Sequence, residues 1–265
     1  MSEHDGIVSH NQKAWDRLVQ QGNRFTQVAT EEAFQNPLRS VDAAGWLGPS
    51  IQGWRVLCLA AGGGRQGPLY AAAGAEVTVV DISDAMLKLD RQVAAQRGLR
   101  MRILQGSMDD LRGLEEASFD LVVQPVSTCY VPDILAVHRQ VARVLRGGGL
   151  YISQHKSPAS LQLSRRLEAG NYVMHHGYYD KRPLQSAEPE STFRETGTLE
   201  YVHRLEEIVG GMCRAGMVIE DLVEPFHAKS DSLPGSFGHR CSMVAPYLRI
   251  KARRVGVTPA ARLIL

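Results

Sequence analysis

The chain has 265 residues, of which 44% are hydrophobic and 22% charged, and its net charge of +2 is too small to indicate a nucleic-acid-binding protein. No apolar stretch reaches the length of a membrane-spanning helix, and the polar start Met-Ser-Glu-His-Asp-Gly lacks the basic and apolar regions of a signal peptide. The cysteines are scattered without a CxxC pair, so we expect a reduced, cytoplasmic protein with no metal site.

The first 54 residues are polar and mixed, with helical signals at two places. Apolar residues recur at helical spacing over residues 11–20, and a second short amphipathic stretch covers residues 31–34 before Pro37 breaks it. A segment of this length before the first strand argues against a simple dehydrogenase, whose nucleotide-binding fold usually begins at once. We therefore expect residues 1–54 to form a helical cap over a ligand.

The stretch from Arg55 to Ser83 has the strongest pattern in the chain. An apolar run over residues 56–61 ends in three glycines, an Ala-rich stretch follows, and a second apolar run ends in Asp81. This order of strand, glycine loop, helix, strand and acid predicts a β-α-β unit that holds a nucleotide-like ligand. Glycines let the backbone approach a ligand closely, and the acid can accept hydrogen bonds from ribose hydroxyls.

Two ligand classes fit this unit. Gly62, Gly64 and Gly67 have the GxGxxG spacing of dinucleotide-binding proteins, and Asp81 follows about twenty residues later, as in that fingerprint. S-adenosylmethionine is the alternative, because its ribose can be held in the same way although it has no pyrophosphate. The unit alone leaves both ligands open.

After Asp81, strands and helices continue to alternate. Ser83 is expected to cap a helix that Gly98 ends. Further strands are expected over residues 101–104, 121–123 and 150–153, with a helix from about 132 to 145. Alternation at this interval predicts a doubly wound α/β fold with a parallel sheet.

The remainder of the chain is less regular. The pattern weakens from 157 to about 198, where we expect an inserted lid or substrate-facing segment. A helix over 199–215 and strands over 217–223 and 247–252 are expected to follow. The main domain would then span residues 55–254, and residues 255–265 would form a loose tail.

Four motifs resemble those of the class I S-adenosylmethionine-dependent methyltransferases, in particular a bacterial small-molecule branch. They are Val-Leu-Cys-Leu-Ala-Ala-Gly-Gly-Gly (56–64), Val-Asp-Ile-Ser (80–83), Ser-Phe-Asp-Leu-Val-Val (118–123) and Val-Leu-Arg-Gly-Gly-Gly (144–149). The resemblance extends to about Arg254. It implies a Rossmann-like, seven-stranded sheet with the last strand antiparallel, S-adenosylmethionine as cofactor, and methyl transfer to a small molecule.

The resemblance also implies which residues meet the cofactor. The glycine loop (Ala60, Ala61, Gly62, Gly63) would face its methionine part, Asp81 its ribose, and Ile82 its adenine. Residues at the ends of the third and fourth strands would complete the site: Ser107, Met108, Gln124 and Val126. Three residues of the cap could close over it: Trp15, Arg24 and Phe25.

This sequence departs from the family pattern at three of its positions. Cys58 stands where the family often has an acid, Ala60 where it often has glycine, and Ser107 where an aspartate is common. The glycines that remain, and Asp109 beside Ser107, could compensate.

Methyl transfer from a sulfonium is a direct displacement, so the enzyme must chiefly align the reactants and exclude water. A base is needed only if the acceptor must lose a proton. Candidate bases are His155 after the fifth strand, His175 in the lid segment and His203 in the helix that follows. Tyr130, just past the fourth strand, is a candidate for lining an aromatic acceptor pocket.

Other functions remain open at this point. Nucleic-acid methylation is disfavoured, because the turn Gln124-Pro125-Val126-Ser127 lacks the aromatic platform found in enzymes that methylate base amines. A nicotinamide-dependent oxidoreductase rests only on the glycine spacing, and a non-catalytic S-adenosylmethionine-binding protein fits the same residues. We expect a small-molecule acceptor and no nucleic-acid or membrane partner. The atom methylated and the oligomeric state do not follow from the residues.

Overall fold

The computed structural model describes residues 2–163, 171–187, 191 and 193–256. Their strands form one seven-stranded sheet. The strands are β1 (Arg55–Leu59), β2 (Glu76–Asp81), β3 (Met101–Gln105), β4 (Phe119–Gln124), β5 (Leu145–Lys156), β6 (Met217–Val223) and β7 (Tyr247–Arg254). The order is β3-β2-β1-β4-β5-β7-β6, and β7 pairs antiparallel with both of its neighbours. The expected seven-stranded sheet with an antiparallel last strand is confirmed.

Helices precede the sheet and connect its strands. They are α1 (Glu3–Gln20), α2 (Glu31–Gln35), α3 (Pro37–Val41), α4 (Gln66–Ala72), α5 (Asp84–Arg97), α6 (Ile134–Val144), α7 (Pro158–Gln162), α8 (Gly211–Arg214) and α9 (Phe237–Cys241). The expected ends of α5 are confirmed: the Ser83 hydroxyl accepts from the Met86 amide, and Gly98 is left-handed with a φ of 64°. Pro37 does break the second helical stretch, but it also opens α3 as its first residue.

The central strands β1, β2 and β4 are buried on both faces of the sheet. Successive side chains of a strand point to opposite sides, so each of these strands contributes to two cores. Leu57 and Leu59 of β1 belong to a core that α6 covers, whereas Val56 and Cys58 belong to a second core that includes residues of α4 and α5. Continuous apolar strands are therefore required here, as in other parallel sheets.

The N-terminal helix α1 is attached to the ligand side of this sheet. Asp16 accepts hydrogen bonds from the Ser83 hydroxyl (2.6 Å) and the Ala85 amide (3.2 Å) at the start of α5. The Asn11 side chain donates to the Tyr130 carbonyl (2.9 Å). Residues 1–54 thus begin with a helix held across the ends of β2 and β4, as a cap would require.

The prediction of a helix over residues 199–215 is wrong for its first part. Residues 199–204 are not helical: the Tyr201 amide donates to the Cys129 carbonyl, and the Glu200 carbonyl accepts from the Leu184 amide. A π-helical turn begins only at Glu206 and continues into α8. Tertiary hydrogen bonds override helical propensity in this stretch.

Parts of two expected segments fall outside the described residues. They are residues 164–170, 188–190 and 192 of the lid segment and residues 257–265 of the tail. Where the domains begin and end therefore stays a prediction. In the described part of the chain, no helix combines the length and apolar character that a bilayer crossing needs.

Candidate active site

A cavity of about 580 Å³ lies at the carboxyl ends of β1, β2, β4 and β5. This volume falls in the range of roughly 300–1,000 Å³ that small-molecule sites occupy, and parallel α/β sheets bind their ligands at this edge. Most of the residues expected to hold the cofactor line it: Ala60, Ala61, Gly62, Gly63, Asp81, Ile82, Met108, Gln124 and Val126. Ser107 does not line it, since its hydroxyl is turned to Asp109.

The loop after β1 is shaped by glycines and by the strands beneath it. Gly63 has a φ of 116° and Ala60 a φ of 47°, both in the left-handed region. A Cβ on Gly62 would lie 3.0 Å from Asp81 Oδ2 and 2.9 Å from Met86 Cβ. The backbone therefore lies directly against the acid of β2, which a side chain would prevent. A φ of 47° is a conformation that glycine adopts more readily than alanine, so Ala60 is strained at this position.

Asp81 ends β2 with both carboxylate oxygens engaged by the backbone. Oδ2 accepts from the Gly62 amide and Oδ1 from the Ser83 amide, each at 2.9 Å. Burial raises the pKa of Asp81 to about 6, although these hydrogen bonds oppose the shift. Each oxygen keeps a lone pair for a further donor, so the carboxylate fits a pair of ribose hydroxyls.

At the end of β4, Gln124 is fixed by its neighbours. Its side-chain amide donates to Ser127 Oγ (3.0 Å), and the Tyr151 hydroxyl donates to its Oε1. Only 2% of Gln124 is exposed. The residue therefore presents a rigid wall to the cavity rather than a mobile hydrogen-bonding arm.

The cap contributes an aromatic side to the cavity. Trp15, Arg24 and Phe25, expected from the sequence to close over the cofactor, all line it. The Trp15 ring meets the Tyr130 ring edge-to-face at 5.6 Å, and the Arg24 guanidinium lies 4.6 Å from the centre of the Phe25 ring. These contacts place aromatic surface along the cavity wall near the end of β4.

Tyr130 lines the cavity and is joined there to a buried charged network. Its hydroxyl donates to Glu195 Oε2 at 2.6 Å, and Lys156 Nζ lies at the same distance from that oxygen. Lys156 also contacts Glu200 (3.2 Å), whose carboxylate accepts from the Arg194 guanidinium (3.1 Å). Glu195 lines the cavity too, and no pattern in the sequence indicated it.

The structure does not bring the three candidate histidines to the cavity. His155 is 1% exposed inside the β5–β7 pairing, with its ring nitrogens 2.8 Å from the hydroxyls of Thr128 and Ser153. His203 is buried against the Thr128 carbonyl, and His175 is exposed on the lid segment. Burial lowers the pKa of His155 well below its usual range, which suits a neutral structural residue.

Further lining residues come from the last third of the chain. The Arg249 guanidinium donates to Gln154 Oε1 through Nε (3.1 Å) and through a terminal nitrogen (2.9 Å). His227 and Tyr247 pack edge-to-face at 5.5 Å beside them. Sequence reasoning missed these residues because their place depends on β7 lying next to β5. Among the described residues, no group of His, Cys, Asp and Glu is arranged to hold a metal ion.

The sequence is similar to known methyltransferases. Residues 57–153 match the family described as methyltransferase domain. The chain is 35% identical over 234 residues to the uncharacterized methyltransferase YbaJ of Bacillus subtilis, an alignment that covers 83% of this chain and 91% of that protein. It is 32% identical to the ubiquinone biosynthesis O-methyltransferase of Xanthomonas axonopodis pv. citri, but over only 49% of this chain and 54% of that enzyme.

The fold has counterparts among solved structures. An S-adenosylmethionine-dependent methyltransferase from Mesorhizobium loti superposes with a TM-score of 0.61 at 20% identity, covering 83% of this chain and all of that one. At this identity the likeness concerns the fold alone. The relatives found are methyltransferases rather than oxidoreductases, which removes the nicotinamide-dependent alternative.

Proposed function

This chain belongs to the S-adenosylmethionine-dependent methyltransferases, and on that premise we propose that its cavity binds the cofactor with the ribose on Asp81 and methylates a small molecule. The observation that carries the cofactor placement is the position of Asp81, directly beneath the Gly62 backbone at the edge of the cavity. A carboxylate with free lone pairs beside a glycine loop is what ribose recognition requires.

The other lining residues would contact different parts of the cofactor. Ile82 and Met108 offer apolar surface for the adenine, and the loop from Ala60 to Gly63 offers backbone groups to the methionine part. S-adenosylmethionine supplies a methyl group already activated on a sulfonium. The chain's own contribution is alignment and exclusion of water, which Trp15 and Phe25 provide from the cap.

The size and composition of the cavity support a small-molecule acceptor. Beyond the expected cofactor residues, it is lined by Trp15, Tyr130, Tyr247 and Arg249, a mixture of flat apolar and polar groups. The partial match to an O-methyltransferase of ubiquinone biosynthesis is in keeping with such an acceptor. A cytoplasmic location remains a prediction.

Calorimetric titration with S-adenosylmethionine tests the cofactor placement. We expect Asp81→Ala to weaken binding by about 2–3 kcal/mol, the usual cost of losing hydrogen bonds to a charged group. Asp84→Ala, which removes an exposed carboxylate three residues away, serves as the matched control and should bind normally. Unchanged affinity in a folded Asp81→Ala variant would remove the basis of the proposal.

A further inference from the structure

Among the residues that the structure describes, only one of the two carboxylate oxygens of Glu195 has a hydrogen-bond partner. Oε2 accepts hydrogen bonds from the Tyr130 hydroxyl and the Lys156 ammonium, each at 2.6 Å. Oε1 makes no hydrogen bond to any residue that the structure describes. Because Glu195 lines the cavity while only 5% of it is exposed, Oε1 is left with lone pairs that a ligand's O–H or N–H can satisfy.

The charges around Glu195 are paired, and Tyr130 beside it stays neutral. Lys156 and Arg194 balance Glu195 and Glu200, and the two carboxylates raise the pKa of Lys156 against the opposing effect of burial. Burial and the Glu195 charge raise the pKa of the Tyr130 hydroxyl well above its usual range. Tyr130 is therefore a fixed donor in this pair, and Glu195 is the group able to take up a proton.

Two further titratable groups near Glu195 stay out of proton transfer. Burial raises the pKa of the Cys129 thiol, and burial raises that of Tyr247 to about 12. Both therefore remain neutral at physiological pH.

The walls near Glu195 are aromatic. Trp15 meets Tyr130 edge-to-face at 5.6 Å, and Tyr247 lies across the same cavity, packed against Phe193 at 5.8 Å. Aromatic side chains favour flat, apolar partners in stacked or edge-to-face arrangements. A ligand that satisfies Glu195 Oε1 in this setting is best described as an aromatic ring that carries a hydroxyl group.

We propose that Glu195 is the proton acceptor of this methyltransferase and that its acceptor is a phenolic hydroxyl, an inference that rests on the proposed function. The phenolic oxygen forms a bond with the methyl carbon while the carbon–sulfur bond breaks and its electron pair stays on sulfur. The phenolic proton passes to Glu195 Oε1 and from there to solvent. The products are an aryl methyl ether and S-adenosylhomocysteine.

The competing explanation is that Glu195 only neutralises Lys156. Glu200 offers a control that distinguishes this explanation from the proposal. Glu200 contacts the same ammonium and is fully buried, but it does not line the cavity. Glu195→Gln and Glu200→Gln each remove one negative charge from the same network. A purely structural role predicts equal losses in both variants, whereas a proton acceptor predicts a specific loss in the first.

The first test measures binding and needs no turnover. With S-adenosylhomocysteine present, 4-nitrophenol is titrated at mildly alkaline pH and its absorbance followed, because the anion is yellow and the neutral form is not. The wild-type protein and Glu200→Gln should bind the neutral form and bleach the colour, since the phenol must donate to Glu195. In Glu195→Gln the bleaching should disappear. Equal bleaching in all three proteins, or none in the wild type, overturns the proposal.

The second test compares acceptors of different acidity by the S-adenosylhomocysteine they produce. For phenol, which ionises only at a pH of about 10, Glu195→Gln should lower kcat by roughly 100-fold or more. 4-Nitrophenol is ionised in solution at the assay pH, so it can enter Glu195→Gln directly as the anion and the loss should be less than about tenfold. Glu200→Gln should stay within a few-fold of wild type on both phenols. Equal losses on both phenols overturn the proposal. A wild-type protein that binds S-adenosylmethionine but methylates no phenol overturns it as well. A wild-type protein that does not bind S-adenosylmethionine refutes the proposed function instead.

Discussion

Asp90 lies directly behind the glycine loop, and its Oδ2 accepts a hydrogen bond from the Gly63 amide at 2.9 Å. The residue is fully buried in α5, and its Oδ1 makes no hydrogen bond with a described residue. Burial, reinforced by the charge of Asp81, raises the pKa of Asp90 to about 7. The loop that faces the cavity is thus held from behind by a carboxyl group that titrates near neutrality.

This arrangement predicts a fall in stability as the pH rises. Asp90 ionises near pH 4 when unfolded and at about 7 when folded. Between these values the native state binds the extra proton, so the free energy of unfolding decreases with pH, by at most about 4 kcal/mol from this residue. Asp90→Asn, which can still accept from Gly63, should show a smaller decrease, with Asp81 responsible for the rest. Urea denaturation at about pH 5 and about pH 8 measures this decrease in the free energy of unfolding for the wild type and for Asp90→Asn. Equal decreases in the two proteins would contradict the prediction.

Cofactor affinity should depend on pH through Asp81. Its pKa is raised to about 6 by burial, and ribose hydroxyls donate best to the ionised carboxylate. Affinity for S-adenosylmethionine is therefore expected to be complete well above this value and to fall as the pH drops through it. Calorimetry across that range, with circular dichroism to confirm folding, provides the measurement. Asp81→Asn should bind weakly with little pH dependence; a steep dependence in that variant would assign the effect to another group.

Gly67 should tolerate no side chain. A Cβ at this position would lie 2.6 Å from Val79 Cγ2, because α4 packs closely on β2. We expect Gly67→Ala to destabilise the protein by about 1–3 kcal/mol through overpacking. Gly113→Ala is the matched control, since a Cβ there has open space, and it should leave stability nearly unchanged. Thermal unfolding compares the two, and similar melting temperatures would argue against close helix–strand contact.

The start of α1 should loosen as the pH rises above the usual histidine pKa. His4 Nε2 lies 2.7 Å from Asp109 Oδ2, and this hydrogen bond raises the pKa of His4. The stabilisation that protonated His4 gives to this contact is complete below the usual histidine pKa and is lost as the pH rises through the raised pKa. Hydrogen exchange in the first turns of α1, corrected for intrinsic rates, should increase over this range. His4→Gln keeps a donor that does not titrate, so its corrected exchange should stay constant.

The first half of the sheet could be predicted because its signals are local. The apolar runs, the glycines and Asp81 lie within one β-α-β unit, and the residues expected from them to meet the cofactor do line one cavity. Ser83 and Gly98 mark α5 through capping chemistry that depends on adjacent residues. Such interactions join residues that are close in the sequence, so the sequence pattern predicts them correctly.

The part of the cavity that we propose to hold the acceptor could not be predicted, because it is assembled from distant segments. His155 was expected at the free end of a short β5, but that strand continues to Lys156 and pairs His155 with Leu248 of β7. Glu195 reaches the cavity through a hydrogen bond to Tyr130, 65 residues earlier. Such long-range pairings leave no local periodicity, so the sequence pattern indicates the histidine and does not indicate the glutamate that lines the cavity.

The insertion of β7 between β5 and β6 has a consequence for biosynthesis. The first five strands in the chain are neighbours in the order β3-β2-β1-β4-β5, so they can associate while later segments are still being translated. Among the described strands, β6 pairs with β7 alone, so it has no partner until β7 leaves the ribosome. During this interval the nascent chain exposes an unpaired β5 edge and a solitary strand, and a chaperone that binds extended segments would find its target there.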